Sequence, residues 1–396
     1  MTIARLILAL ALAATVCACH DGAKGNGGEP ASTGGEAHAQ TRKPDPQPPS
    51  GGSARRKPDP EAELQEIADK IASNPNYGIF VATNREILNR AEKSFSDQLG
   101  PGLTYGIAYQ PVLAVDGGVK PKPYARDFQF AKPDLFFDYI SKRQAEAQRY
   151  PKHIVVFVHG FRQKPGQAMS TAIAIKSLLR FDGPFVLFMW PSVGAVENYG
   201  TDRLKAEVSD EALSQLLCQL AAKNPGAKIT ILAHSMGSYL TINTLQDFSQ
   251  DCPAKPKLNA LVMFSPDLPV SLAEPRAPRA VANVGSATAY VSEYDLAVRT
   301  SKKVWQDPNL GIVLNKTPSV VPGIASVNVS TLQLDAFDLR SLNHDSYAYT
   351  QVMDDVHHLL RDGQTDPVIR SIATSRMTRP DNRRIYYVMD GARKGR

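Results

Sequence analysis

The sequence predicts an α/β protein with a mostly parallel central sheet and helices on both faces. Three observations predict it. From Lys152 onward, short runs rich in β-branched and aromatic residues alternate with helical patterns. The first of those runs is continuously apolar, as a strand buried on both faces should read. The residues suited to reactive chemistry fall at the ends of the runs, where parallel sheets gather their chemistry.

The elements follow in order. "HIVVFVHGF" (His153 to Phe161) reads as a strand ending in Gly, and "AMSTAIAIKSLLRF" has helical spacing. "PFVLFMW" (Pro184 to Trp190) is the next strand, and "DRLKAEVSDEALSQLLCQLAA" reads as one helical pattern. "KITILAHSMG" runs from a strand into a helix that begins near Gly237. Strands are then expected in "LNALVMFSPD" (Leu258 to Asp267), "SATAYVSEYD" (Ser286 to Asp295) and "ASVNVSTLQLD" (Ala325 to Asp335). Six strands separated mostly by helices argue for a parallel sheet. "VMDDVHHLLRD" is helical, and His357 and His358 there need only surface or packing roles.

The chain has 396 residues, enough for one large domain or two ordinary ones. Residues 1–18 read as a targeting segment: Arg5 precedes the apolar run Leu6 to Val16, then small residues and "VCACHDG". The run is too short to span a bilayer. It resembles a bacterial lipoprotein signal with Cys19 as the lipid-carrying residue. Cys19 fits better than Cys17, because Val16 and Ala18 supply the aliphatic and small positions. An ordinary cleaved signal with incidental cysteines is the plainer alternative. On the lipoprotein reading the mature chain belongs in the bacterial cell envelope, anchored to a membrane by a lipid on Cys19 and facing the periplasm or exterior.

Residues 19–60 are dominated by Gly, Pro, Ser, Ala and charge, and "RKPDP" occurs at Arg42 and Arg56. Such a stretch buries too little apolar surface to offset its ordering entropy and reads as a tether. Residues 61–362 form the expected folded body, and 363–396 a basic tail. The formal charge of +6 is modest and dispersed, and no nucleic-acid motif accompanies it, so no nucleic-acid partner is expected. Cys218 and Cys252 could pair in an oxidising compartment. Because Cys218 sits in an apolar helical pattern, a buried free thiol is slightly preferred. Neither has metal-site spacing, and no metal or cofactor is expected.

Ser235 lies where a strand must turn sharply into a helix, with small Ala233 and Gly237 beside it. The small-x-Ser-x-Gly pattern alone is weak, since a serine in a tight turn would look the same. As a nucleophile, Ser235 needs a histidine to remove its proton and a carboxylate to orient that histidine. In this architecture the order is Ser, acid, His. Of the three downstream histidines, His344 lies in a loop with Asn343 and Asp345, and it is the expected base. Asp295 is the expected acid, two strands after the serine, although an Asp opening a helix is often only its N-cap. Asp267, ending "FSPD", is the reserve acid. Oxyanion donors are expected at the amides of Met236 and Phe161, with Gly160 permitting close approach. His159 and His234 are read as shaping residues.

The stretches "ATNREIL" (Ala82 to Leu88), "VFVHGF", "FMWPS" (Phe188 to Ser192), "LAHSMG", "FSPD", "YVSEYDLAV" and "LNHDSY" occur together, in order, across Val81 to Tyr347. In these the chain resembles the bacterial alpha/beta-hydrolase family of unknown substrate, grouped with esterase/lipase-superfamily enzymes. The resemblance implies an alpha/beta-hydrolase fold with Ser235 as nucleophile, Asp295 as acid and His344 as base. The chain departs from the pattern at Ala233, Ser265 and Val298, none of which bears on the proposed chemistry. Arg85 has no role derivable from sequence; it could bind a substrate anion or pair with a core carboxylate. The expected function is a membrane-anchored serine hydrolase of carboxylic esters, with thioesters or lipids as further substrates. It requires Ser235 to be reachable, and activity fading below about pH 6 to 7 as His344 takes a proton. A catalytically silent binding protein of the envelope is the alternative.

Overall fold

Strands that are apolar on both sides need cover on both sides, and the strands of this sheet receive it. The computed structural model describes residues 78–109, 112–115, 118–121, 127–254, 256–334, 342–371 and 373–390, with a few positions between 62 and 70. The expected targeting segment, Cys19 and the tether lie outside the described residues. Among the described residues no helix is long and apolar enough to cross a membrane.

The central sheet has eleven strands: β1 (Gly78–Asn89), β2 (Ser94–Tyr109), β3 (Asp127–Ala131), β4 (His153–Val158), β5 (Phe185–Phe188), β6 (Lys228–His234), β7 (Ala260–Phe264), β8 (Ala287–Val291), β9 (Ala325–Asn328), β10 (Thr374–Thr378) and β11 (Ile385–Met389). Their spatial order is β10-β11-β9-β8-β7-β6-β4-β5-β1-β2-β3. From β11 across to β1 every neighbouring pair is parallel. Antiparallel partners close the two edges, β2 and β3 at one and β10 at the other. All six strands expected from the sequence are present, but the last is shorter than read: it ends at Asn328, and Ser330–Leu334 of the expected strand is helical.

Side chains alternate between the faces of a strand. In β4, Val156 and Val158 enter one core, while Val155 and Phe157 enter the other. Helices α1 (Pro133–Glu146), α4 (Asp210–Lys223), α5 (Met236–Asp251) and α6 (Val270–Ala282) line the first core through residues such as Phe136, Leu216, Leu240 and Ala277. Helices α2 (Pro165–Leu178) and α9 (Thr350–Asp362) line the second through Ile173 and Val356. Between these lie α3 (Tyr199–Glu207), α7 (Leu296–Trp305) and α8 (Ser330–Leu334), and α10 (Pro367–Arg370) follows α9. The central β4 is flanked by β5 on one side and β6 on the other. The order in which strands are added therefore reverses at β4, and a crevice opens beyond the strand ends at such a point.

Three expectations need correction. The single helix read from Asp202 onward is two, α3 and α4. Between them the Ser209 hydroxyl donates to the Lys205 carbonyl (2.6 Å) and accepts from Asn84 Nδ2 (2.9 Å), tying the break to β1. Cys218 and Cys252 form a disulfide with their Cα atoms 5.6 Å apart, so the preference for a free thiol is overturned. Helical periodicity at Cys218 reported one face of α4 and not the approach of the loop after α5.

The folded body also does not stop at 362. Instead of a tail, residues 367–389 supply α10, β10 and β11, and β11 pairs parallel to β9. β10 is short and polar, and the five-residue apolar run of β11 follows a loop holding Arg379, Arg383 and Arg384, so neither stands out beside the central strands. Arg370 fixes this addition: its Nε and Nη2 donate to Asp355 of α9 at 3.0 and 2.8 Å, and both side chains are wholly buried. The Tyr290 hydroxyl of β8 donates to the same carboxylate. Arg370→Ala strands a buried carboxylate, which typically costs about 3–5 kcal/mol. Denaturant unfolding of the variant should show a loss of that size, and a loss within about 0.5 kcal/mol would mean residues past 362 are not integral to the fold.

Candidate active site

The end of β6 and the start of α5 meet at Ser235, whose backbone has φ 53° and ψ −126°. A non-glycine residue held there stores roughly 1–3 kcal/mol of strain. Three backbone hydrogen bonds hold it: Ser235 N–H to Phe264 O (3.0 Å), Asp267 N–H to Ser235 O (3.1 Å) and Ser238 N–H to Ser235 O (2.9 Å). Two glycines make room. A Cβ on Gly160 would lie 2.8 Å from Ser235 Cβ, and one on Gly237 would lie 2.5 Å from Val158 O. Ala233 is fully buried in β6, so a methyl is accommodated at that position.

Ser235 as a residue is buried, with 4% exposed. That exposure is lower than the requirement for a reachable serine suggested. Its Oγ makes no hydrogen bond with the described residues, yet it is not among the fully enclosed side-chain atoms lacking a partner. The hydroxyl is therefore not wholly enclosed, although the residue is buried.

His344 comes from the loop before α9. Its Nδ1 lies 2.8 and 3.0 Å from the two carboxylate oxygens of Asp295. Asp295 is fully buried and also caps α7, accepting from Val298 N–H at 2.9 Å. The N-cap reading and the partner reading thus both hold, one carboxylate serving two donors. Burial works against a charged imidazole at His344, but the charge and hydrogen bond of Asp295, with Asp345 and Asp267 behind it, overcome it and raise the pKa to about 9. The His344 ring packs 4.7 Å from that of His234, the residue before Ser235. Ser235 and His344 are not joined by a hydrogen bond. His234 Nε2 lies 3.2 Å from the His344 carbonyl, and burial, then the charge of His344, holds its pKa well below the ordinary range. It is a neutral strut under the His344 loop.

Asp267, the reserve acid, does not bond His344. Its carboxylate accepts from the Tyr199 hydroxyl (2.6 Å), the Ser301 hydroxyl (2.7 Å) and Asn309 Nδ2 (2.8 Å). Burial raises its pKa despite those donors. It braces the crevice wall through three side chains that sequence reasoning did not find.

The amides of Met236 and Phe161 donate no hydrogen bond to the described residues. Met236 is the first residue of α5, where such N–H groups are unpaired by geometry. Phe161 follows Gly160 at the end of β4. His159 behaves as a shaping residue: its ring lies between the carbonyls of Gly160 (2.9 Å) and Trp190 (3.2 Å) and stacks on Trp190.

The loop carrying Phe161 is secured by Arg85, a residue whose role the sequence left open. Arg85 is 2% exposed, and it neither faces a substrate opening nor hydrogen-bonds a carboxylate. Its Nη2 donates to Gln163 O (3.0 Å) and Ser192 O (2.9 Å), and its Nη1 to Ser96 O (3.1 Å). Gln163 N–H donates in turn to Ser192 Oγ (3.1 Å), and Ser192 and Val193 donate to the buried Asp202. One guanidinium thereby ties the loops after β4 and β5 to β2. The signal was present as "TNR" and "FMWPS", but only the fold shows that they meet.

A parallel sheet whose strand order reverses at β4, carrying a strained serine turn between β6 and α5, defines an alpha/beta hydrolase. The chain belongs to the family described as alpha/beta hydrolase of unknown function (DUF900), whose model matches residues 140–362. A Nostoc sp. protein, itself uncharacterised, is 40% identical over 75 residues, 19% of this chain and 20% of its own length. Among solved structures, lipase B of Aspergillus fumigatus is similar at 14% identity and a TM-score of 0.34, over 66% of this chain and 64% of its own. An esterase of Pyrobaculum calidifontis is similar at 11% identity and a TM-score of 0.31, over 80% and 96% respectively. The chain thus spans about a fifth of the curated relative and just under two thirds of the lipase.

Arg85→Met should leave the carbonyls of Gln163 and Ser192 short of a donor, at a cost of about 2–3 kcal/mol. Hydrogen exchange should quicken at residues 161–164 with the central strands still protected, and unchanged exchange there would remove Arg85 as the loop's anchor.

Proposed function

We propose that the protein is a serine hydrolase of carboxylic esters, with thioesters or lipid esters as further substrates, acting through Ser235, His344 and Asp295. The observation that carries this reading is the buried Asp295 carboxylate, bonded to His344 Nδ1 beside the strained turn at Ser235. That bond leaves Nε2 as the nitrogen available to a substrate or to a serine proton.

In this reading His344 Nε2 takes the Ser235 proton as Oγ attacks the ester carbonyl. The developing oxyanion is met by the N–H groups of Met236 and Phe161, each such donor typically worth about 3 kcal/mol of barrier. His344 returns the proton to the departing alcohol, leaving an acyl group on Ser235. Water then attacks the acyl carbon, giving its proton to His344, and the acid leaves as Ser235 is reprotonated. Asp295 holds the imidazole's tautomer and stabilises its charged form.

Cys19 fits a lipid anchor by its sequence context, which would set the enzyme on an envelope membrane facing the periplasm or exterior. In detergent phase partitioning the full chain should enter the detergent phase and a Cys19→Ser chain should remain aqueous; identical partitioning would rule the anchor out.

A fluorophosphonate probe is expected to label the protein, and Ser235→Ala to abolish labelling without loss of fold. Equal labelling of both would leave the silent binding protein as the better reading. Asp295→Asn should lower turnover on the order of 10⁴-fold, with Asp267→Asn less damaging; the reverse ranking would transfer the acid role to Asp267.

The pH dependence differs from the expectation drawn from sequence. Because His344 must be neutral to accept a proton, and its pKa is raised to about 9, kcat/KM should still be climbing above pH 7. A limb centred at or below about pH 6.5 would show that Asp295 does not hold the imidazole's charge in the free enzyme.

A further inference from the structure

Two N–H groups can meet one developing charge only if the segments that carry them keep their separation. Met236 belongs to the turn at Ser235, whereas Phe161 lies on the loop after β4. Gly160 packs that loop against Ser235, but the chain then leaves the sheet: Phe161 is half-buried and Arg162 is exposed. Arg162 also has φ 62°, a conformation that a non-glycine residue keeps only where its surroundings impose it. Those surroundings belong to α3.

The opening turn of α3 supplies two side chains. The buried Asp202 carboxylate accepts from the N–H of Arg162, which fixes the loop one residue beyond Phe161. Tyr199, the first residue of the helix, sets its ring edge-on to that of Phe161, with centroids 5.2 Å apart and an interplanar angle of 75°.

The Tyr199 hydroxyl donates to Asp267 Oδ2 at 2.6 Å, while Ser301 and Asn309 donate to Oδ1. One oxygen of this carboxylate is therefore tied to α7 and the loop after it, and the other to α3. Asp267 is in turn joined to the serine turn, because its N–H donates to Ser235 O at 3.1 Å. A continuous set of contacts thus runs from the turn at Ser235 through Asp267 and Tyr199 to Phe161. It links the two segments whose amides must act together.

We propose, resting on the serine-hydrolase reading, that Tyr199 is a positioning residue for the oxyanion. Its hydroxyl fixes the ring against Asp267, and the ring holds Phe161 where its N–H and that of Met236 reach the same oxygen. Tyr199 itself touches no reacting atom. The effect is confined to states in which negative charge has formed on that oxygen, so it appears in kcat and not in the binding of uncharged ester.

Hydrolysis of a p-nitrophenyl ester and inhibition by an aryl trifluoromethyl ketone, measured on the full chain and on Tyr199→Phe and Tyr199→Leu, test this. In the ketone complex Ser235 Oγ adds to the carbonyl carbon, His344 Nε2 takes the hydroxyl proton, and the carbonyl oxygen becomes the oxyanion. Ketone affinity therefore reads the two donors with no leaving group involved. Tyr199→Phe should lower kcat and ketone affinity together, by about tenfold, with KM unchanged within about twofold. Tyr199→Leu, which also loses the ring, should approach the roughly 10²- to 10³-fold typical of losing one donor outright. The melting temperature of Tyr199→Phe should fall by no more than about 4 °C, so that both readouts come from folded protein. A Tyr199→Phe chain that binds the ketone as tightly as the parent, or whose loss lies wholly in KM, would overturn the assignment and leave Tyr199 a structural brace. A parent chain that neither hydrolyses the ester nor binds the ketone would instead remove the hydrolase reading, and the role of Tyr199 with it.

Discussion

The left-handed backbone at Ser235 is the constraint on which the rest of the site depends. A strand that turns into a helix through one residue must bring three segments almost into contact: the end of β4, the end of β7 and the first turn of α5. Ser235 N–H reaches the Phe264 carbonyl, and Asp267 N–H reaches back to the carbonyl of Ser235. Glycine is required at 160 and 237 because a Cβ at either would fall within 2.8 Å of its neighbours. Those contacts hold a conformation the serine would not adopt alone.

Three buried carboxylates surround this turn, and each is stabilised differently. Asp295 accepts from His344 and from the amide of Val298. Asp267 accepts from Tyr199, Ser301 and Asn309. Asp202 accepts from Ser192 and Val193 in the network fastened by Arg85. A buried charge must be paired or hydrogen-bonded, and the partner decides what the charge can do. Neutral donors fix loops, whereas a titratable donor gives Asp295 influence over a proton. That difference in partner, more than burial or position along the strand ends, separates Asp295 from Asp267.

Much of this was legible in the chain. The six parallel strands announced themselves through continuous apolar runs, since burial on both faces leaves no polar alternation to obscure them. The Ser, Asp and His positions followed from their place at strand ends, and the pairing of His344 with Asp295 from the order along the chain. The edges were not legible. β2 and β3 are antiparallel and partly exposed, β10 is short and polar, and β11 is a five-residue run behind a loop holding Arg379, Arg383 and Arg384, so their patterns resemble loops. Arg85 was visible but uninterpretable, because its partners are backbone carbonyls, which leave no mark in a sequence. The Cys218–Cys252 bond depended on how the loop after α5 folds back, a distance that helical periodicity does not encode.

The buried pair between Asp355 and Arg370 has a consequence for the order in which the molecule can be completed. A polypeptide leaves the ribosome from its N-terminus, so α9 emerges before α10, and Asp355 arrives fifteen positions ahead of its counter-charge. Until Arg370 follows, enclosing that carboxylate against Tyr290 would bury an uncompensated ion. α9 therefore has reason to stay hydrated on that side, leaving the second core open along one seam. Docking of α10 closes the seam and brings β11 against β9, so the latest-made part of the described chain acts as a latch on the elements made just before it.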